Sequence, residues 1–204
     1  MTVIIDYDAG NIKSVEKAVQ YLGKEACITR DPSKIRNADR VILPGVGAFG
    51  DAMMKLEQYE LVPLIHEVVE NGTPFLGICL GLQLLFDSSE ESPGVKGLSL
   101  LPGKIVRFPD SNERKVPQIG WNSLAFPKKT RLFDGVEEGS YVYFVHSYYL
   151  EAGDRNDVAA TSDYGRVFDA AVEHGNLFAC QFHPEKSSDV GLRILKNFLE
   201  ISSC

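Results

Sequence analysis

Short apolar runs alternate with amphipathic segments over the first half of the chain. The apolar runs predict four strands, TVIIDY (2–7), EACITR (25–30), RVILPG (40–45) and PFLGI (74–78). Apolar residues at steps of three and four predict helices at 10–23, 51–59, 61–72 and 80–88, with a short helical connection at 31–39. Strands that alternate with helices of this length are typical of an α/β fold with a doubly wound, mostly parallel central sheet and helices on both faces. Functional sites in such folds lie at the carboxyl ends of the strands.

The second half of the chain has a different pattern, because Gly, Asn, Asp and Pro turns separate its apolar runs. These runs predict six further strands, at 104–108, 115–126, 140–150, 157–165, 167–175 and 177–185. A final amphipathic helix is predicted at 189–202. Such closely spaced strands favour antiparallel additions to the sheet, and we expect residues 1–204 to form one α/β domain.

Composition and charge argue against several classes of protein. The 204 residues carry 28 acidic and 21 basic side chains, a formal net charge of −7, which makes nucleic acid a poor candidate partner. Basic residues cluster only at Arg114–Lys115 and in PKKTR (127–131), and both stretches fit solvated loops. No run of 18 apolar residues is present, and Asp6 and Asp8 interrupt the apolar start that a signal peptide requires. We therefore expect a cytoplasmic protein that neither spans a membrane nor binds nucleic acid.

The four cysteines, Cys27, Cys79, Cys180 and Cys204, are scattered along the chain and include no CxxC pair. In a reducing compartment they are expected to be free thiols, and their spacing does not favour a zinc site. We expect neither a bound metal nor a cofactor.

Cys79 stands between two glycines in GICLG (77–81), directly after a predicted strand and before a predicted helix. This is the cysteine counterpart of the GxSxG nucleophile elbow, a sharp and strained turn in which glycines prevent collisions. At the start of a helix the partial positive charge favours a thiolate, and the Leu80 N–H can face the oxygen of a tetrahedral intermediate. Free cysteines are among the most buried residues, so this motif alone is equally compatible with a packing role for Cys79.

A nucleophilic cysteine needs a base, and His183 is the best placed of the four histidines. His66 lies in a predicted helix and His174 at a turn, where surface positions are expected. His183 follows the apolar part of a predicted strand, and the proline after it favours extended backbone. Residues i and i+2 of an extended segment project to the same side, so Glu185 can orient the imidazole to act on a thiol. A nucleophilic set of Cys79, His183 and Glu185 is therefore the better interpretation.

Three longer motifs occur along the chain in the order LPGVGAF (43–49), GICLGLQLLF (77–86) and QFHPEKS (181–187). They resemble the motifs of the class I (triad-type) glutamine amidotransferases, although PGVGAF stands where many relatives carry a PGG loop. The resemblance covers essentially the whole chain. It implies that Cys79 attacks the side-chain amide of L-glutamine, with His183 as general base and then acid, and Glu185 as the carboxylate that orients it.

The resemblance also implies an oxyanion hole. One donor is the Leu80 N–H and the other is the backbone around Val46–Gly47, where Gly45 and Gly47 let the loop approach the substrate. Loss of one such donor typically costs about 3–4 kcal/mol of transition-state stabilisation.

Further substrate contacts are implied in the same way. Gln83 lies one helical turn after Cys79, so its amide can reach the same pocket. Gly45, Ser147 and Tyr148 are the other implied contacts. A solvated helix position is the alternative for Gln83, and ordinary strand positions are the alternative for Ser147 and Tyr148.

A glutaminase serves a synthase that uses its ammonia, and the glutaminase domain accounts for all 204 residues. DYDAGNIKSV (6–15), VPQIGWN (116–122) and YFVHSY (143–148) resemble family members of histidine biosynthesis that act beside a separate cyclase. The resemblance therefore implies a heterodimer with a (β/α)₈-barrel cyclase subunit. It assigns five residues to the interface: Asn11, Trp121, Asn122, Tyr143 and Lys186. For Trp121 a packed core position is the alternative, and for Lys186 a solvated one.

Three rival functions remain open at the level of sequence. A cysteine peptidase or glutamyl hydrolase would use the same triad and would be active without a partner. A glutaminase of another ammonia-using synthase, such as the one that makes pyridoxal phosphate, would need a different partner. A non-catalytic binding module on the same fold would be expected to carry a broken triad, whereas all three members are present here.

Overall fold

The central sheet begins with four parallel strands at the positions of the first four apolar runs. In the computed structural model, which describes residues 1–110 and 114–202, they are β1 (Thr2–Ile5), β2 (Ala26–Thr29), β3 (Arg40–Gly45) and β4 (Phe75–Cys79). Their order across the sheet is β2-β1-β3-β4, and each neighbouring pair is parallel. Cys204 lies outside the described residues.

Helices cover both faces of this sheet. They are α1 (Ile12–Tyr21), α2 (Pro32–Arg36), α3 (Phe49–Gln58), α4 (Leu61–Glu70), α5 (Leu80–Leu84) and α6 (Ser188–Glu200). Side chains alternate between the faces along a strand, so Ile4 belongs to the core under α1 and α6, whereas Val3 and Ile5 belong to the core under α2, α3 and α4. The predicted doubly wound arrangement is confirmed. None of the helices in residues 1–110 and 114–202 has the length and apolar character needed to cross a bilayer.

The second half of the chain extends the sheet and adds a smaller one. Its strands are β5 (Ser88–Ser89), β6 (Gly103–Arg107), β7 (Gln118–Ser123), β8 (Tyr141–His146), β9 (Tyr148–Ala152), β10 (Val158–Asp163), β11 (Val167–His174) and β12 (Leu177–Cys180). The central sheet continues in the order β4-β12-β11-β9-β6-β5, and β10 also pairs with β11. The predicted antiparallel additions are confirmed in the pairings of β11 and in β6–β9. Strands β7 and β8 form a separate antiparallel pair.

The predicted strand 140–150 is divided at Ser147. Its first part, β8, belongs to the small sheet, and its second part, β9, belongs to the central sheet. At the break, the Ser147 carbonyl oxygen accepts a hydrogen bond from the Phe108 N–H at 3.0 Å. Apolar and polar positions alternate in the same way in strands of either sheet, so the sequence pattern could not show where the chain passes from the small sheet to the central sheet.

Several other predicted elements are shorter than expected, among them strand 115–126, which is formed only at Gln118–Ser123. The predicted helix 80–88 ends at Leu84, because the Leu84 and Leu85 carbonyl oxygens accept hydrogen bonds from Leu98 and Leu100 at 2.8 Å. The predicted strand 177–185 ends at Cys180, and residues Pro184–Lys186 form a 3₁₀ turn.

The pairing of β4 with β12 determines where the functional site lies. The two strands are parallel neighbours, with Ile78 opposite Cys180. Cys79 and the segment that follows β12 therefore leave the sheet at the same edge, which is the carboxyl edge expected for sites in such folds.

Candidate active site

The turn at Cys79 joins β4 to α5. Cys79 has φ 56° and ψ −111°, a conformation that strains any residue with a Cβ. The flanking glycines give the turn the space it needs. A Cβ on Gly77 would lie 2.7 Å from the Gly81 carbonyl oxygen, and one on Gly81 would overlap the Leu43 carbonyl oxygen. The strained, glycine-flanked turn expected of a nucleophile elbow is therefore present at this position.

His183 and Glu185 form a buried pair beside the turn. His183 Nδ1 lies 2.9 Å from Glu185 Oε1, and the two side chains are only 3% and 1% exposed. An ionised carboxylate can only accept, so it holds a proton on Nδ1 and leaves Nε2 available. Nε2 is buried and has no hydrogen-bond partner among the described residues. The expectation of a shared extended segment is wrong, because His183 is extended whereas Glu185 lies in the 3₁₀ turn.

Neighbouring charges favour the protonated form of His183. Burial by itself lowers the pKa of this imidazole, but Cys79 and Glu185 outweigh burial and raise the pKa of His183 to about 9. These neighbours therefore favour the imidazolium form of the ring at neutral pH. That state can pair with a thiolate and can give a proton to a departing amine.

Cys79 and His183 line one cleft of about 340 Å³. This volume lies at the lower end of the range for small-molecule sites, which suits a ligand the size of an amino acid. Five other residues with expected roles also line the cleft: Gly47, Leu80, Gln83, Ser147 and Tyr148. The structure therefore brings together residues that are up to 136 positions apart, from Gly47 to His183.

The two glycines of the β3–α3 loop lie in different environments. Gly47 lines the cleft and has φ 99°, a conformation that glycine adopts without strain. Gly45 does not line the cleft. It lies opposite Cys79 in the β3–β4 pair, and a Cβ there would overlap the Tyr7 hydroxyl and lie 2.9 Å from Leu80 Cβ. Gly45 therefore packs closely behind Leu80, and a substrate contact at Gly45 stays a prediction.

Gln83 is only 5% exposed, so the alternative of a solvated helix position is wrong. Its Nε2 donates to the Tyr148 carbonyl oxygen at 3.2 Å and to Gln181 Oε1 at 3.0 Å. These bonds tie α5 to the start of β9 and to the segment after β12. Gln83 therefore fixes the wall of the cleft in addition to lining it.

Comparison with known proteins decides the family. The sequence profile of the family described as "Glutamine amidotransferase class-I" matches residues 3–201. The chain belongs to the class-I glutamine amidotransferases. As a member of that family it is a glutamine-hydrolysing enzyme.

Curated relatives of this amidotransferase include proteins named "Imidazole glycerol phosphate synthase subunit HisH". The relative from Syntrophotalea carbinolica is 53% identical over 97% of this chain and 98% of its own length. The relative from Moorella thermoacetica is also 53% identical, over 97% of this chain and 93% of its own length. A third, from Methanothermobacter thermautotrophicus, is 50% identical over 98% of each chain.

Solved structures of lower identity share the fold. A crystal structure of a glutamine amidotransferase superposes with a TM-score of 0.76 at 22% identity and covers 97% of both chains. PurLQS from Thermotoga maritima superposes with a TM-score of 0.74 at 20% identity, over 97% of this chain and 96% of its own. At these identities the likeness concerns the fold alone.

Three of the expected interface residues of the amidotransferase lie at the surface. Trp121 is 52% exposed, so the alternative of a packed core position is wrong. It lies edge-on to Tyr143, its partner across the β7–β8 pair, with ring centroids 6.1 Å apart. Lys186 is exposed on the 3₁₀ turn directly after Glu185.

The two asparagines of the expected interface make contacts within the chain. Asn11 Nδ2 lies 3.3 Å from Glu185 Oε1 and donates to it, so this residue contacts the carboxylate that pairs with His183. Asn122 lies on the face of β7 opposite to Trp121, and its Nδ2 donates to the Asp163 carbonyl oxygen at 2.7 Å. The structure therefore separates Asn122 from the face that carries Trp121.

Sequence reasoning missed three polar residues of the site. Glu91 lines the cleft, and its Oε2 accepts a hydrogen bond from the Phe49 N–H at the start of α3. His146 also lines the cleft, and Gln181 lies behind it with no exposed surface. For His146 and Gln181 the available signal was a polar residue within an apolar run, as in YFVH and LFACQF, because a buried polar group needs a specific partner. Glu91 lies in the polar stretch DSSEESPG (87–94) and carries no such signal.

His146 is held neutral between two hydrogen-bond partners. Nδ1 lies 2.8 Å from the Tyr148 carbonyl oxygen, which can only accept, so Nδ1 carries the proton. Nε2 lies 2.9 Å from Gln118 Oε1. An unprotonated Nε2 requires this amide to be turned, so that its NH₂ group faces the ring. Burial lowers the pKa of His146 to about 4, although the Tyr148 carbonyl acts in the opposite direction.

This lowered pKa predicts acid sensitivity that depends on His146. Below pH 6.5 the unfolded chain binds a proton at this histidine, while the folded protein resists it until about pH 4. Stability is therefore retained above pH 6.5 and lost as the pH falls towards 4, by up to roughly 3 kcal/mol. Urea unfolding of the parent and of His146→Gln, at several pH values, measures the difference. A difference in unfolding free energy that stays constant from pH 7 to pH 4 would contradict this assignment.

Proposed function

We propose that this amidotransferase is the glutaminase subunit of an imidazole glycerol phosphate synthase. It hydrolyses L-glutamine to glutamate and ammonia through a thioester on Cys79 and passes the ammonia to a separate cyclase subunit, a (β/α)₈ barrel of histidine biosynthesis in the cytoplasm. The observation that carries the proposal is the cleft that Cys79 shares with His183, whose ring is paired with the buried Glu185. The proposal is supported by identity of about half to curated subunits of that synthase.

The reaction starts at the Cys79 sulfur. The thiolate attacks the side-chain amide carbon of glutamine and forms a C–S bond, and the carbonyl oxygen becomes an oxyanion. The protonated Nε2 of His183 gives its proton to the nitrogen, the C–N bond breaks, and ammonia leaves. Neutral His183 then takes a proton from water, whose oxygen attacks the γ-glutamyl thioester and releases glutamate and the thiolate. Glu185 keeps the ring oriented throughout by its bond to Nδ1.

Both tetrahedral intermediates place negative charge on the former carbonyl oxygen. Leu80 and Gly47 line the cleft beside Cys79, and their backbone N–H groups are the proposed donors to that oxygen. The positive φ of Gly47 sets the direction of the loop amides, so this glycine controls one of the two donors.

Glutamine carries an α-ammonium and an α-carboxylate that need partners in the cleft. Glu91 is a half-buried carboxylate on the cleft wall, and it is the proposed partner of the α-ammonium. Gln83, Ser147 and Tyr148 are the proposed contacts to the remaining polar atoms of the substrate.

The proposed cyclase-binding surface is the outer face of the β7–β8 sheet. Its exposed side chains include Ile119, Trp121 and Tyr141, at 63%, 52% and 58% exposure, with Tyr143 beside them. Val145, on the same face, lines the cleft, so the apolar surface is continuous with the site where ammonia forms. Such an aromatic surface at the mouth of the cleft suits a partner that takes up ammonia without release to bulk water.

The experiment that tests this function compares the purified chain alone with the chain plus a (β/α)₈-barrel cyclase and its ribonucleotide substrate. Glutamate release should be low for the chain alone and should rise strongly when the cyclase and its substrate are both present. Full activity of the isolated chain would instead favour a partner-independent cysteine hydrolase.

Trp121→Ala tests the proposed surface. Because a central aromatic residue of an interface is often worth about 2 kcal/mol or more, the dissociation constant for the cyclase should rise roughly thirtyfold. Tyr21→Ala is the matched control, since Tyr21 is 78% exposed on α1 and lies outside the surface. Isothermal titration of each variant with the cyclase measures the effect, and equal affinities for both variants would contradict the assignment.

A further inference from the structure

Gln181 is fully buried although its side chain is polar. It has no exposed surface and follows β12 directly, two residues before His183. Its Nε2 lies 3.7 Å from Cys79 Sγ, within the range of an N–H···S hydrogen bond, and its Oε1 lies 3.0 Å from Gln83 Nε2. Burial of an amide is costly unless its polar atoms are paired, and here each end has a partner.

The orientation of the Gln181 amide follows from its neighbours. The Tyr148 carbonyl oxygen can only accept, so Gln83 must present its NH₂ group to it. The same NH₂ group lies next to the Gln181 amide, which therefore presents its oxygen to Gln83. The NH₂ group of Gln181 is consequently directed at the Cys79 sulfur. Gln83 thus donates both to the Tyr148 carbonyl oxygen and to Gln181, and Gln181 in turn donates to Cys79, with the backbone carbonyl of Tyr148 fixing these directions.

We propose that Gln181 is a positioning residue for the nucleophile, which donates a hydrogen bond to the Cys79 thiolate and holds it in place for attack. This proposal rests on the proposed role of Cys79. A hydrogen bond to the charged form of a group stabilises that form, so the amide favours thiolate over thiol. A carboxylate or an apolar side chain of similar length at position 181 would not supply this donor.

The connection to Gln83 gives the arrangement a second property. Gln83 lines the cleft and donates a hydrogen bond to Gln181. The position of the Gln181 amide, which donates to the Cys79 sulfur, therefore depends on the position of Gln83. Gln181 itself does not line the cleft. Its loss should therefore act on the reactivity of the sulfur and leave the affinity for glutamine largely unchanged.

Gln181→Met and Gln181→Glu test the proposal through alkylation of Cys79. Each variant is treated with iodoacetamide from pH 5 to pH 10 without glutamine, and the peptide that contains Cys79 is followed by mass spectrometry. In Gln181→Met the rate at neutral pH should fall about tenfold, and the midpoint of the pH profile should move up by about one unit. In Gln181→Glu, a second negative charge near the sulfur should move the midpoint further.

Steady-state kinetics give a second test. With the cyclase present, kcat of Gln181→Met should fall about tenfold and KM should stay within about twofold.

Asn197→Leu is the matched control, because Asn197 is also a buried amide but its Nδ2 donates to Leu132 and Asp134 carbonyl oxygens away from the site. Its alkylation profile should match that of the parent. If Gln181→Met does not fold, Gln83→Met replaces it: loss of the Gln83 donor frees the Gln181 amide and should move the midpoint in the same direction by a smaller amount.

An unchanged midpoint in the folded variant would overturn the proposal. A failure of the proposed function is a separate outcome. Retained glutamine hydrolysis in Cys79→Ala would show that Cys79 is not the nucleophile. The alkylation profile measures the reactivity of the Cys79 sulfur and does not depend on hydrolysis.

Discussion

Cys79→Ala is expected to lower glutamine hydrolysis by at least about 10³-fold, even in the presence of the cyclase and its substrate. Removal of the nucleophile from a triad leaves only the weak effect of substrate binding and oxyanion stabilisation. The remaining residues of the site cannot form the thioester, because His183 and Glu185 act only through the sulfur. Glutamate release, measured by a coupled dehydrogenase assay, gives the rate.

The same variant should bind the cyclase with the affinity of the parent, because Cys79 is buried and lies outside the β7–β8 surface. Cys27→Ala is the control for loss of a thiol as such, since Cys27 lies on β2, at a distance from the cleft, and should retain full activity. Hydrolysis retained by Cys79→Ala, or lost equally in Cys27→Ala, would contradict the assignment.

Gly81→Ala is expected to destabilise the fold by about 3 kcal/mol or more, the upper end of what overpacking usually costs. The added methyl group would overlap the Leu43 carbonyl oxygen. Neither side can yield easily, because Cβ is attached directly to the backbone of α5 and the carbonyl belongs to the backbone of β3. Any relaxation must move α5 away from β3. Because Leu80 is the first residue of α5, its N–H should move as well, and activity should fall more than stability alone explains.

Gly50→Ala is the matched control for this substitution. Its Cβ would lie 2.9 Å from the Ser92 hydroxyl, an atom at the end of a side chain that can rotate, and Gly50 lies within α3. Chemical denaturation should show a loss below about 1 kcal/mol for this variant. A Gly81→Ala protein as stable as Gly50→Ala would show that the close approach of α5 to β3 is not required for the stability of the fold, which would contradict the prediction.

The first four strands were predictable because each is an apolar run followed by a clear helical period. The turn at Cys79 was predictable because GICLG stands between a predicted strand and a predicted helix, although the motif alone was equally compatible with a packing role for the cysteine. The pairing of His183 with Glu185 was also predicted, although the 3₁₀ turn that brings the carboxylate back to the ring was not. Pro184, four residues after the last strand residue Cys180, fits either conformation.

Other features depend on contacts between distant segments, which a local pattern does not encode. The division of 140–150 at Ser147 arises because β8 pairs with β7 in the small sheet, whereas β9 pairs with β6 in the central sheet. Gln83, His146 and Gln181 can be buried because each side chain finds its hydrogen-bond partners on another element of the chain. Trp121 illustrates the same limit, since its exposure follows from the face of β7 that it occupies.

The central claim is that glutamine is hydrolysed through a γ-glutamyl thioester on Cys79. The most direct measurement is a single turnover of isotope-labelled glutamine by the chain and cyclase, stopped in acid at successive times, with mass spectrometry of the peptide that contains Cys79. The account predicts a labelled γ-glutamyl group on the Cys79 sulfur that appears before free glutamate and then decays. Glutamate formed with no label on Cys79 at any time, or with label on another residue, would contradict it.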